Sequence, residues 1–268
     1  MQNVLKKYET IRGNGGSTLT ALSHLYKSYG EEIYKFRILM IHAGGLSKRM
    51  PSTSILGKIF SPIPTGSPIY QMLDVKLAMY LPFLPRMPPG IFVCCADDFL
   101  VFNLGDEDLK WKLSETGFTA FAHPSTLQIG VKHDDLDHIE TQKALQECRC
   151  LEVLQKPSEE TMYKKDAVLK GKDLKFPENI QIRGKTAYTD SCFFFGMDVA
   201  KKFINFVSEN GFVECEIDAY GDFLQALGPR ATVDYVYNTS NVTTVLPKLI
   251  PTREKIFHLL KGTEIKVY

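Results

Sequence analysis

The chain has 268 residues, 44% of them hydrophobic, enough to bury a real core in one large domain or two small ones. Its net charge is +1, so no concentrated basic face for nucleic acid or an anionic membrane is expected, and no apolar run reaches the roughly 18 residues of a membrane span. Six cysteines, Cys94, Cys95, Cys148, Cys150, Cys192 and Cys215, form no CxxC pair, which disfavours zinc and suits buried thiols in a reducing, cytoplasmic compartment.

The N-terminal stretch lacks the apolar core of a signal peptide. Gly13 to Gly16 predict a turn, and Leu19, Leu22, Leu25 and Tyr26 predict a helix after it, capped by Ser17 or Thr18. FRILMIHAGG (36–45) predicts a buried strand that stops at glycine. SPIYQMLDVKLAMYL (67–81) has helical periodicity, with Pro68 near its start. GIFVCCADD (90–98) predicts a second buried strand ending in two acids. GFTAFAHPS (117–125) and RCLEVLQKPS (149–158) each predict a strand ending at proline. TDSCFFFGMDVAKKFINFVSENG (189–211) predicts a strand that turns into a helix near Asp198. EIDAYGDFLQALG (216–228) predicts a short helix ended by Gly228, and ATVDYVYN (231–238) another strand. The polar stretch 164–185 predicts a surface excursion. Strands alternating with helices predict an α/β fold, and without repeats or a low-complexity linker the chain reads as one domain, 1–268.

HAGGLSKRM (42–50) raises the question of chemistry. Glycines after a strand let the backbone approach a phosphate, whose oxygens exposed amides can cradle. The loop is neither a Walker loop nor the GxGxxG fingerprint of a dinucleotide-binding oxidoreductase. Arg49 supplies a planar fork for phosphate oxygens, and Lys58 a compact charge after Gly57. Asp97 and Asp98 end the next strand, at the sheet edge where open α/β sheets bind ligands. Cations, glycines and acids together suit a magnesium–nucleotide complex, because magnesium takes one or two carboxylates plus substrate phosphates.

The ordered blocks GNGGSTL, HAGGLSKRMP with LGKIF, CADD, LQKPS, YTDS, CEIDAYGDFLQALGP and IFHLLKGT resemble the fucose-1-phosphate guanylyltransferase (GDP-L-fucose pyrophosphorylase) family, from about Arg12 to Val267. The resemblance implies a Rossmann-like, GT-A-like nucleotidyltransferase sheet flanked by helices. It implies that GTP and β-L-fucose 1-phosphate give GDP-L-fucose and pyrophosphate, with magnesium or manganese, in fucose salvage. It also implies a preceding strand segment and a C-terminal β-helix extension; this chain is expected to lack both and so to be incomplete at both ends. Two other readings share these features: a nucleotidyltransferase for another sugar 1-phosphate or NTP, and a non-catalytic sugar-nucleotide-binding protein.

Transferred residue by residue, the resemblance has Gly44, Gly45 and Ser47 wrapping the triphosphate. Arg49 holds the departing phosphates, Lys58 the phosphate at the reacting end and Lys156 the sugar phosphate. Asp97 is the main metal ligand. Asp222, then Asp218, then Glu216 compete for the second position; Asp218 and Asp222 share a face if helical, and two like charges there need a cation. Tyr188, Thr189 and Asp190 line the sugar pocket, and Gly13, Asn14, Gly15 and Gly16 contact guanine or close the nucleotide pocket. Asp98 fits a helix cap better than a ligand. His42 lies near the nucleotide as a structural histidine, since the attacking phosphate oxygen is already an anion and needs no base.

Overall fold

The computed structural model describes residues 2–43, 52–53, 57–96, 98–100, 102, 112–131, 134–136, 148–169, 174–175, 181–182 and 184–268. Gly44, Gly45, Ser47, Arg49 and Asp97 lie outside them. The apolar runs form the sheet: β1 (Arg37–His42), β2 (Gly90–Cys95), β3 (Phe118–Thr126), β4 (Asp134–Leu136), β5 (Cys148–Arg149) and β6 (Val153–Gln155). A short pair follows, β7 (Leu174–Lys175) with β8 (Gln181–Ile182), then β9 (Thr186–Gly196) and β10 (Ile265–Val267).

The main sheet runs β1-β2-β9-β3-β10-β5, with β4 joined to β9 and β6. β1 with β2 and β3 with β10 are parallel, while β2–β9, β9–β3 and β10–β5 are antiparallel. This is a mixed, open α/β sheet. Its centre is buried on both faces, which explains why the strands read as continuous apolar runs rather than alternations. Phe193 and Phe195 enter one core with Ile91 and Val93, whereas Cys192 and Phe194 enter the other with Phe92 and Cys94. β9 lies between β2 and β3, so Tyr188, Thr189 and Asp190 are on an interior strand.

Helices cover both faces. α1 (Gln2–Tyr29), α5 (Met197–Asn210) and α6 (Leu249–Leu260) pack on the first core, and α2 (Met72–Tyr80) on the second. Two short helices, α3 (Leu127–Gly130) and α4 (Glu159–Lys164), adjoin a smaller cluster. α5 begins at Met197, beside the expected Asp198. Among the described residues no helix is long and apolar enough to cross a membrane, and Cys94, Cys95, Cys150, Cys192 and Cys215 are free thiols.

Several expectations are corrected. The run 149–158 is not one strand but the end of β5 and, separately, β6, and β3 runs on through Pro124 to Thr126. The glycine block does break the chain before a helix, as a kink at Gly13 between two helical stretches, but Ser17 and Thr18 do not cap that helix. α1 runs through it and breaks only at Gly13 (φ 65°), and Thr18 lies inside the second half, donating to the Asn14 carbonyl four residues back. Residues 216–228 do not make an ordinary helix but a π turn (Ala219–Phe223) followed by a 3-10 turn (Leu224–Ala226). Residues 231–238 form a 3-10 helix (Val233–Tyr237) instead of a strand. Its end is tied down by Arg253, which donates to the carbonyls of Val236 and Asn238, so a tertiary contact overrides β propensity.

Candidate active site at the sheet edge

The parallel strands β1 and β2 end at His42 and Cys95, where Thr18 and Tyr220 meet them. The glycine block provides the first support. Gly13 and Gly15 lie so close to Ile217 that a Cβ on either would come within 2.4 Å or 2.8 Å of it. Gly15 N–H donates to the Ile217 carbonyl (2.8 Å), Ile217 N–H donates to the Arg12 carbonyl (2.9 Å), and Ala219 N–H donates to Asn14 Oδ1 (2.7 Å). Gly13, Asn14 and Gly15 therefore seat the segment that presents Asp218, while Gly16 packs against the Arg12 side chain. Sequence reasoning linked these glycines to the nucleotide but missed this partner.

His42 joins the two supports. Thr18 Oγ1 commits its proton to the Asn14 carbonyl, so His42 Nε2, 2.9 Å away, must be the donor to Thr18. That fixes the tautomer: Nδ1 is bare, buried and without a hydrogen bond. Burial lowers the His42 pKa to about 4, with Asp218 pulling weakly the other way. An unfolded chain takes up this proton near pH 6.5 and the folded one only near 4, so folding is progressively disfavoured as pH falls across that window. The difference in unfolding free energy between wild type and His42→Gln, which keeps a donor for Thr18 but cannot titrate, should shrink by at most about 3 kcal/mol between pH 7 and pH 4. Parallel denaturation curves at each pH check this; a constant difference contradicts the buried neutral histidine.

Asp222 departs from its expected role. It is fully buried, with Oδ1 2.9 Å from Arg253 Nε, as an ion pair rather than an aligned hydrogen bond, and with Oδ2 accepting from Asp218 N–H at 2.8 Å. Burial pushes its pKa up to about 7 against the pull of Arg253. A carboxylate turned inward onto a guanidinium does not face a solvent-borne metal. Asp218 is half-buried and looks the other way: its Oδ1 accepts from Tyr220 N–H (3.0 Å) and its Oδ2 from Gln155 Nε2 (2.8 Å). A carboxylate has about four lone-pair positions, so among the described residues two are left unclaimed. Glu216 is taken by Thr243, whose N–H donates at 2.7 Å.

Lys58 opens a 3-10 turn behind Gly57 (φ 96°), where a Cβ would lie 3.6 Å from the Ala43 carbonyl, close to the end of β1. Lys156 is exposed, with a left-handed backbone (φ 45°) just after β6. Thr189 and Asp190 are buried in β9, Thr189 bonding Ser125 Oγ at 2.8 Å, and Tyr188 is half-buried beside them. Asp98 is no helix cap; it is ion-paired with the fully buried Lys76 of α2. Tyr220, whose hydroxyl accepts from Cys95 Sγ at 3.2 Å, was not anticipated, and neither were Gln155, Asn241 and Arg253.

Among the described residues no three His, Cys, Asp or Glu side chains form a metal cage. Magnesium does not require one, because it keeps waters and takes phosphates beside one or two carboxylates. Asp218 fits such a ligand and Asp222 does not.

Residues 30–268 match the sequence profile described as the fucose pyrophosphorylase domain. The chain is 46% identical over 273 aligned positions to human fucose-1-phosphate guanylyltransferase and 43% identical over 273 to the mouse protein of the same name, covering 95% of this chain in each case. It is 28% identical over 210 positions to the Arabidopsis thaliana bifunctional fucokinase/GDP-fucose pyrophosphorylase, covering 66% of this chain and 19% of that protein. The chain spans 44% of the human relative's length and 45% of the mouse one's.

Proposed function

Since the chain belongs to the fucose pyrophosphorylase family, we propose that it joins GTP and β-L-fucose 1-phosphate into GDP-L-fucose, releasing pyrophosphate, as a cytoplasmic fucose-salvage enzyme. What carries this reading is the match to the guanylyltransferases over 95% of the chain. The sheet is read as a Rossmann-like, GT-A-like nucleotidyltransferase sheet.

An oxygen of the sugar phosphate attacks the α-phosphorus of GTP, a new P–O bond forms, and the bond to the bridging oxygen of pyrophosphate breaks. The attacker is already anionic, so the protein's task is to align and neutralise two polyanions. Arg49 and Lys58 serve the triphosphate with the backbone of Gly44 and Gly45 and the Ser47 hydroxyl, and Lys156 serves the sugar phosphate. Bound magnesium or manganese would supply charge neutralisation at the phosphates, held by Asp97 and by Asp218, which takes the place first assigned to Asp222. Tyr188, Thr189 and Asp190 are assigned to the sugar side. Gly13, Asn14 and Gly15 act by seating the Ile217–Ala219 segment at the nucleotide, and Gly16 by packing on Arg12 beside them.

The purified chain should release pyrophosphate from GTP only when fucose 1-phosphate is present. Chelation should abolish release and magnesium or manganese restore it. A faster reaction with another NTP or sugar 1-phosphate in a substrate panel would overturn the specificity. Tight GDP-fucose binding without turnover would make the chain a binding protein instead.

A further inference from the structure

Five residues close into a ring behind the site. Asp218 N–H donates to Asp222 Oδ2 (2.8 Å), Asp222 Oδ1 pairs with Arg253 Nε (2.9 Å), and Arg253 Nη2 donates to Asn241 Oδ1 (2.8 Å). Asn241 Nδ2 donates to Gln155 Oε1 (2.8 Å), and Gln155 Nε2 donates back to Asp218 Oδ2 (2.8 Å). The direction of this chain is fixed by chemistry. A guanidinium only donates, so Asn241 must turn its oxygen to Arg253 and its amide N–H to Gln155. An ionised carboxylate only accepts, so Gln155 must turn its amide N–H to Asp218. Both amide orientations follow from the two ends, and they agree.

We propose that Asn241 and Gln155 are positioning residues, relaying the fixed orientation of Arg253 to the Asp218 carboxylate and, through the adjoining backbone, to Lys156. This rests on the guanylyltransferase reading, in which Asp218 faces the metal and Lys156 the sugar phosphate. Two further observations support it. Gly221 approaches the Gln155 carboxamide so closely that a Cβ would come within 2.3 Å, so the π turn is shaped around that side chain. Gln155 is also the last residue of β6, and Lys156 leaves it in a left-handed conformation, so the amide and the lysine share one anchored peptide. The ring thus ties the metal side to the sugar-phosphate side. It also gives Asp222 a role: holding Arg253 still.

The test uses the full chain with Asn241→Asp and Gln155→Met. Asn241→Asp keeps an acceptor for Arg253 but removes the donor to Gln155. It should melt close to wild type, yet lower kcat by about 10- to 100-fold, the scale expected for a small misplacement at the reacting centre, while KM for GTP changes less than about threefold. Manganese binding in the presence of GTP, read by electron paramagnetic resonance, should weaken at least about fivefold in the same variant, since one carboxylate is no longer held. Should Asn241→Asp fail to fold, Gln155→Met, which fills the space beside Gly221 without polar atoms, gives the same readings. Wild-type kcat and manganese affinity in Asn241→Asp or Gln155→Met, or losses that merely follow the melting temperature, would overturn the relay. Absence of fucose 1-phosphate turnover in the wild type defeats the guanylyltransferase reading instead, while the manganese comparison still reports on the relay.

Discussion

Arg253→Met is expected to lower the stability of the chain by about 3–5 kcal/mol, because it leaves the fully buried Asp222 carboxylate without its cation. For a chain of this size the melting temperature should fall by about 6–20 °C. The guanidinium also satisfies the carbonyls of Val236 and Asn238 and the Asn241 side chain, so methionine orphans several acceptors at once. Asp222→Asn should be destabilising as well, by a similar margin in chelator and in magnesium. A metal ligand behaves differently, since its neutral variant loses stability chiefly when the metal is present. Urea denaturation of the three proteins with and without magnesium decides the matter. A loss below about 1 kcal/mol in Arg253→Met would show that the pair is dispensable.

Lys58→Ala and Arg49→Ala should each reduce turnover strongly and leave the melting temperature nearly unchanged. Removing a charge-assisted contact to a phosphate should raise the barrier by about 2–4 kcal/mol, roughly 30- to 1000-fold in rate. Lys58 lies outside the hydrophobic cores, although Ile59 beside it is buried with Met72 and Ala96, so the substitution should spare the packing. Steady-state rates at saturating GTP, with melting curves on the same samples, test both variants. Near-wild-type rates in both would defeat the phosphate-loop assignment.

The parts of this fold that could be read in advance are those set by burial on a short period. Cys192 through Phe195 alternate between two cores, so strand β9 shows as an apolar run, and α5 shows through its one-sided stripe. The site is less legible for a physical reason. Asp218 and Asp222 look equivalent at a spacing of four, and only the inward turn of Asp222 onto Arg253, from a helix far along the chain, separates them. Gln155 and Asn241 carry no charge, and the LQKPS block that holds Gln155 draws the eye to Lys156 instead, yet each is defined by partners distant in sequence. The glycines of the 13–16 block were visible as special, but glycine marks close approach without naming what approaches, here Ile217. Val233–Tyr237 has the composition of a strand and became a 3-10 helix because its carbonyls answer to Arg253.

Strand β10 sits between β3 and β5, parallel to β3, although β3 is synthesised far earlier. Until residues 265–267 emerge from the ribosome, Phe118–Ala120 has paired only on its β9 side, and its other edge offers open amides and carbonyls. Pairing so distant along the chain makes closure slow, because the loop entropy is lost before the contacts form. A nascent chain halted before Ile265 should therefore present a sticky strand edge to chaperones, and its release should coincide with the arrival of the last few residues of the sheet.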